Sequence, residues 1–175
     1  DDLESRINDK TVAILVNFPS NPTGATVSSE QRDVLVEFAK KNDLWIITDE
    51  VYDRIIYNEE HVSFLGAGHD KLFLINSFSK TFAMTGWRIG YVLSPDTEAM
   101  IEINKMQYYV TACSNDAMQY AVLEAMNKAS DYPSLMCSEF KSRRDLICNR
   151  LNAMAGVSCH VPDGAFYVFP KVEVE

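Results

Sequence analysis

The chain has 175 residues, 47% of them hydrophobic and 23% charged, a composition that can bury a real core. Its 16 basic residues against 25 acidic ones leave a net charge of −9, which argues against non-specific nucleic-acid binding and against docking on anionic membranes. No apolar stretch approaches the length of a bilayer span, and no signal-peptide pattern opens the chain.

The first apolar, β-branched run, Thr11–Asn17, reads as a strand stopped by Pro19 and Pro22. Ser28 or Ser29 can cap a helix to about Lys41, with Val34, Leu35 and Phe38 as its apolar stripe. Leu44–Thr48 is the next strand and completes a β-α-β unit, for which a right-handed crossover is expected. Leu72–Asn76 and Ile89–Leu93 follow as strands. The link between them shows no amphipathic helix, so Ile89–Leu93 is expected to run antiparallel to its neighbours. Helices are expected over Thr97–Tyr109, Ser114–Lys128 and Pro133–Ala155, the last stopped by Gly156. Val157–His160 and Phe166–Phe169 read as short strands of a second unit. The expected class is α/β, with a mainly parallel sheet and flanking helices over residues 1–132, and a connecting helix with the start of a smaller α+β domain over 133–175.

Chemistry gathers where these strands end. Asn17 runs into Asn21-Pro22-Thr23-Gly24, the second strand into Asp49-Glu50-Val51-Tyr52, and the third into Ser77-Phe78-Ser79-Lys80. Ligands of open α/β sheets sit at the carboxyl ends of parallel strands, so Asn21, Asp49, Tyr52 and Lys80 should meet at one edge of one sheet. Lys80 lies in a turn with hydroxyls before it and Arg88 after it. Such neighbours can hold a phosphate and bias an amine toward its nucleophilic form, burial beside Arg88 lowering the lysine's pKa. Each residue also has a plainer reading. Lys80 can be a solvated loop lysine, Asp49 a helix cap, Tyr52 a packing residue, Asn21 part of an Asn-Pro turn, and Ser77 and Ser79 ordinary turn residues.

Taken together, Asn21-Pro22-Thr23-Gly24, Asp49-Glu50-Val51-Tyr52, Ser77-Phe78-Ser79-Lys80, Gly86-Trp87-Arg88-Ile89-Gly90-Tyr91 and Pro162-Asp163-Gly164-Ala165-Phe166-Tyr167 resemble the pyridoxal-phosphate (PLP) aminotransferases of fold type I. The likeness is to the aspartate, aromatic and alanine branch and runs along essentially the whole chain. It implies a large domain whose sheet carries one antiparallel strand, followed by the entry to a small domain. It also implies PLP held as a Schiff base on Lys80, with Asp49 on the pyridine nitrogen and Tyr52 and Asn21 at the ring oxygen. Ser77, Ser79 and Arg88 would take the phosphate, and Asn21 would also reach the substrate carboxylate. The implied reaction moves an amino group between an L-amino acid and a 2-oxo acid, in a cytoplasmic homodimer.

Complete members are more than twice as long. The phosphate cup, the ring that stacks on the pyridine and the arginine that grips the substrate carboxylate are expected outside these residues. Residues 1–175 are therefore expected to be a central portion that does not transaminate alone. A PLP-dependent C–S β-lyase, which shares the Asn21, Asp49, Tyr52 and Lys80 equivalents, and the aminotransferase-like sensor domain of a transcription regulator are alternatives. Gly86 and Gly90 are read as allowing close backbone passage.

The remaining reactive residues carry blander readings. Cys113, Cys137, Cys148 and Cys159 lack metal-type spacing and are expected to be reduced, mostly buried thiols. His61, His69 and His160 are expected as loop or surface residues, no metal site is expected, and Lys141-Ser142-Arg143-Arg144 is expected as a solvated helix face.

Overall fold

Alternation decides the sheet. In the computed structural model, which describes residues 2–173, strands β1 (Ala13–Asn17), β2 (Trp45–Asp49), β3 (Leu72–Ser77) and β4 (Gly90–Leu93) lie side by side in that order. β1, β2 and β3 are parallel, and β4 is antiparallel to β3, as expected for a short connection. Ile46, Thr48, Leu72, Leu74 and Asn76 point to one face and are buried, because successive strand residues face opposite ways. On that side Val27, Val36, Ala39, Leu44 and Phe64 complete the main core. The opposite face is open among the described residues: Leu15 is 72% exposed.

A short helix α1 (Asp2–Arg6) precedes β1, and α2 (Ser29–Lys41) packs Val36 and Ala39 into the core. Its start is the expected one. Ser28 Oγ accepts from Gln31 N at 3.2 Å while Gln31 Oε1 accepts from Ser28 N at 3.0 Å, a reciprocal capping box. Between β3 and β4 the chain makes one turn of helix, α3 (Phe78–Thr81), and a 3₁₀ turn at Thr85–Trp87. Lys80 thus stands on a helical turn rather than in an irregular one. Helices α4 (Thr97–Thr111), α5 (Asp116–Lys128) and α6 (Tyr132–Asn152) follow.

The end of the chain departs from expectation. The second small strand is Lys171–Val172 (β6), which pairs antiparallel with Val157–Ser158 (β5), and Phe166–Phe169 is not a strand. Those aromatics pack on other rings instead of forming a ladder, and only an isolated bridge between Ile56 and Gly164 is sheet-like nearby. Helix α6 ends at Asn152, before the expected Ala155, and Gly156 (φ 72°) turns the chain into β5. Asp1, Val174 and Glu175, which fall within the ranges expected for the two domains, lie outside the described residues.

A segment with no regular structure, Pro162–Ala165, ties these parts together. Gly164 N donates to Gly24 O at 2.9 Å, Ala165 N to Ile55 O at 2.8 Å, and Tyr57 N to Asp163 O at 2.9 Å. Arg144, on α6, donates to Pro162 O at 3.0 Å and lies 4.5 Å over the Tyr57 ring. The Lys141–Arg144 run is therefore not a uniformly solvated face, since Arg144 is only 7% exposed.

Two glycines separate close passage from mere permissiveness. A methyl group on Gly24, whose φ is 71°, would sit 2.3 Å from Pro162 Cβ, and one on Gly90 would sit 2.7 Å from Asn76 O. One on Gly86 would meet nothing within 4 Å, which corrects the expectation that Gly86 serves close passage. Gly24→Ala should cost about 2–4 kcal/mol through backbone strain and overpacking. Gly86→Ala should stay within about 0.5 kcal/mol. Urea denaturation of the two variants beside the parent checks the contrast.

Candidate active site

β1 and β2 end in register at Asn17 and Asp49, and Asp49 is opposite Ile75 of β3. By strand alternation Asp49 lies on the face opposite Thr48 and the main core. Asn17 Nδ2 donates to Asp49 O at 3.0 Å, while Asn17 Oδ1 accepts from Asn21 N at 2.7 Å. One asparagine side chain thus sets the Asn21 loop against the end of β2. Asp49 Oδ1 accepts from Val51 N at 3.2 Å, so the capping geometry exists, although residues 51–54 form turns and not a helix.

Tyr52, 3% exposed, stands at the middle of a second cluster with Ile55 and Ala165. Its hydroxyl lies 2.5 Å from that of Tyr167. Burial first, then Tyr167 and the charge of Asp49, push the Tyr52 phenol well above its ordinary range. Lys80 Nζ lies 5.8 Å from the centroid of the Tyr52 ring and 5.2 Å from that of Phe166. Among the described residues no carboxylate pairs with it.

The expected residues are thus placed unequally. Asp49, Tyr52 and Lys80 come together, and Asn21 is joined to Asp49 through Asn17. Ser77 closes β3 facing Gly90, with its N–H on Asn76 Oδ1 at 2.7 Å, and Ser79 is nearly buried with its carbonyl accepting from Thr85 Oγ1 at 3.2 Å. Arg88 is exposed and in the left-handed region (φ 54°), and its guanidinium donates to Thr85 O at 2.8 Å. A cleft of 1090 Å³ between the turn after β2, α3 and α6 is lined by none of Asp49, Tyr52 or Lys80. The site is marked by chemistry, not by volume.

His61 is a loop residue, as expected, but an engaged one: its Nε2 lies 2.6 Å from Glu50 Oε2, and Glu50 is only 2% exposed. Glu50 also accepts from Phe64 N at 2.9 Å and Thr48 Oγ1 at 3.1 Å. Cys113 is exposed and Cys137 half-buried, so only Cys148 and Cys159 fit the buried-thiol reading. The Tyr52–Tyr167 and Glu50–His61 contacts escaped notice because the partners lie 115 and 11 residues apart, beyond any local pattern.

Residues 1–175 match the family described as aminotransferase class I and II. The chain belongs to that family. The aspartate aminotransferase of Thermotoga maritima is 41% identical over 174 residues, covering 98% of this chain and 45% of that protein. The probable aspartate aminotransferase of Methanocaldococcus jannaschii is 42% identical, covering 97% and 46%. The solved structure of the Thermotoga maritima aspartate aminotransferase superposes with a TM-score of 0.90 at 40% identity, over 99% of this chain and 45% of that one. An alanine aminotransferase from Pyrococcus furiosus gives 0.90 at 34% identity, over 99% and 46%. The chain thus spans about half the length of the relatives it matches, and its fold is that of fold-type I aminotransferases.

Glu50 supplies a pH-dependent clamp beside the site. Desolvation, the largest single effect, raises its pKa. Hydrogen bonds from His61, Phe64 N and Ser63, with the His61 charge, outweigh it and hold the carboxyl below its ordinary 4.5. A lowered folded-state value means the unfolded chain binds the proton more tightly. The stabilisation is therefore present above 4.5 and is lost as pH falls through the lower folded value. Glu50→Gln should cost about 1–3 kcal/mol at neutral pH. The deficit against the parent should shrink on acidification below 4.5, in urea denaturation run across that range.

Proposed function

We propose that this chain carries the cofactor-bearing core of a PLP-dependent aminotransferase, which moves an amino group between an L-amino acid and a 2-oxo acid. The observation that carries the reading is the Lys80 amine, set over the Tyr52 and Phe166 rings beside the β2 end that bears Asp49. The donor set fits PLP: an amine with no carboxylate partner among the described residues, a carboxylate, a buried phenol, two serines and a guanidinium. When bound, PLP supplies an aldehyde that takes up amines and a ring that draws electrons from the substrate α-carbon.

Lys80 would hold the cofactor through Nζ and, once displaced by the substrate amine, move the proton at the substrate α-carbon. Asp49 would keep the ring nitrogen protonated by remaining ionised. Tyr52 and Asn21 would hold the ring oxygen, with Asn21 also meeting the substrate carboxylate. Ser77, Ser79 and Arg88 would hold the phosphate, Arg88 by exchanging its bond to Thr85 O for phosphate oxygens. Residues 1–132 would form part of the cofactor-binding domain, and 133–175 would open the smaller one. The working enzyme would be a cytoplasmic homodimer. The relatives described above are aminotransferases, which favours transamination over the β-lyase and sensor-domain readings.

Two experiments on the full-length, PLP-loaded protein test this. Borohydride reduction and peptide mapping should place a pyridoxyl group on Lys80; a different lysine, or none, overturns the assignment. Asp49→Ala should retain cofactor through the phosphate contacts yet slow the amino-acid half-reaction by about a hundredfold or more. A rate near that of the parent removes Asp49 from the mechanism.

A further inference from the structure

Tyr167 has no part in the reading above, yet it makes the closest side-chain contact to Tyr52. The hydroxyls are 2.5 Å apart, and the rings meet edge to face at 5.7 Å and 79°. Phe166 closes the same box, 5.3 Å from Tyr52 at 87° and 4.8 Å from Tyr167. Lys80 Nζ lies over Phe166 and Tyr52. Tyr167 does not drift into this position. It follows Ala165 by two residues, and Ala165 is bonded to Ile55 O through its N–H and to the Tyr57 hydroxyl through its carbonyl.

A phenol has one proton to give and can also accept. Two phenols in contact must therefore choose a direction. If Tyr52 donated to Tyr167, its only proton would be spent, and it could offer the lysine side of the site nothing but an acceptor. If Tyr167 donates, the Tyr52 proton is free to point there. The groups facing Tyr52 are Asp49 from β2, Lys80 from α3 and Tyr167 itself. Tyr52 is buried beside the Asp49 carboxylate, a setting in which losing its own proton is costly.

We propose that Tyr167 is a positioning residue: its hydroxyl donates to Tyr52 Oη and directs the Tyr52 proton toward the anionic ring oxygen of the cofactor carried by Lys80. This rests on the PLP reading above. It assigns the aromatic pair of the Pro162–Tyr167 segment a role in tuning the site, and it makes the strap that fixes Ala165 part of that tuning.

The readout is the visible absorbance of the lysine-bound cofactor, titrated in the full-length protein. A donor on the ring oxygen competes with the proton that this oxygen shares with Lys80 Nζ, so weakening the donor tightens proton binding. Tyr167→Phe should raise the proton-binding constant about threefold to tenfold, the worth of one hydrogen bond. Replacing Tyr167 with 3-fluorotyrosine keeps the shape and makes a stronger donor, so it should shift the titration the opposite way. In a Tyr52→Phe background, Tyr167→Phe should change nothing, because its route is gone. An unmoved titration in both Tyr167 variants, or an equal shift in the Tyr52→Phe background, overturns the proposal. A parent protein with no cofactor band on Lys80 overturns the PLP reading, and this inference with it.

Discussion

The arrangement of the site depends on one strap of backbone, Pro162–Ala165, bonded at once to the loop after β1, the turn after β2 and helix α6. Its bonds to Gly24 O, Ile55 O and the Tyr57 N–H are main-chain to main-chain, and buried bonds of this kind are costly to break because both ends lose their partners. Arg144 adds a charge-assisted bond from Nη1 to Pro162 O, while its Nε and Nη2 donate to Asp145 Oδ1. Because the strap holds Gly24 and Ile55 together, it fixes the distance between the Asn21 loop and the turn that carries Tyr52. The tight fit of Gly24 against Pro162 and of Gly164 against Pro19 shows how little slack remains.

Two neighbouring carboxylates show how the pleat divides labour. Asp49 and Glu50 are adjacent in sequence but serve different surroundings. Glu50 is buried and fully engaged by His61, Phe64 N and Thr48. Among the described residues the Asp49 carboxylate keeps only one short-range backbone bond, from Val51 N, and it stands half-buried at the strand end. A carboxylate already saturated by donors has little to offer a ligand, whereas one with free lone pairs at an edge does. The buried acid steadies the turn, and its half-buried neighbour keeps lone pairs free at the strand end.

The sequence was most legible where the signal is local. Strand runs, the serine cap before α2 and the reversal of β4 each depend on a few consecutive residues, and each is found in the structure. Asp49, Tyr52 and Lys80 were legible because strand ends converge at one edge of a parallel sheet. What escaped is non-local. Nothing near Arg144 signals its carbonyl partner at Pro162, nothing near His61 signals Glu50, and Phe166–Phe169 is a short apolar run that reads as a strand although ring packing claims its side chains. The small ladder instead falls to Lys171–Val172, which periodicity alone does not single out.

The antiparallel course of β4 also bears on the order in which the molecule can assemble. Residues 78–89 separate β3 from β4, while residues 18–44 separate β1 from β2. Loop closure grows with the logarithm of length, so the entropy difference between these two closures is only about 0.7 kcal/mol. The hairpin-like pairing nonetheless has the lower contact order, and it needs no other element in place before its ladder can form. The segment bearing Lys80 and Arg88 is thus enclosed by the most local pairing in the sheet. The Asn21 loop and Tyr52 must wait for contacts that span far more of the chain.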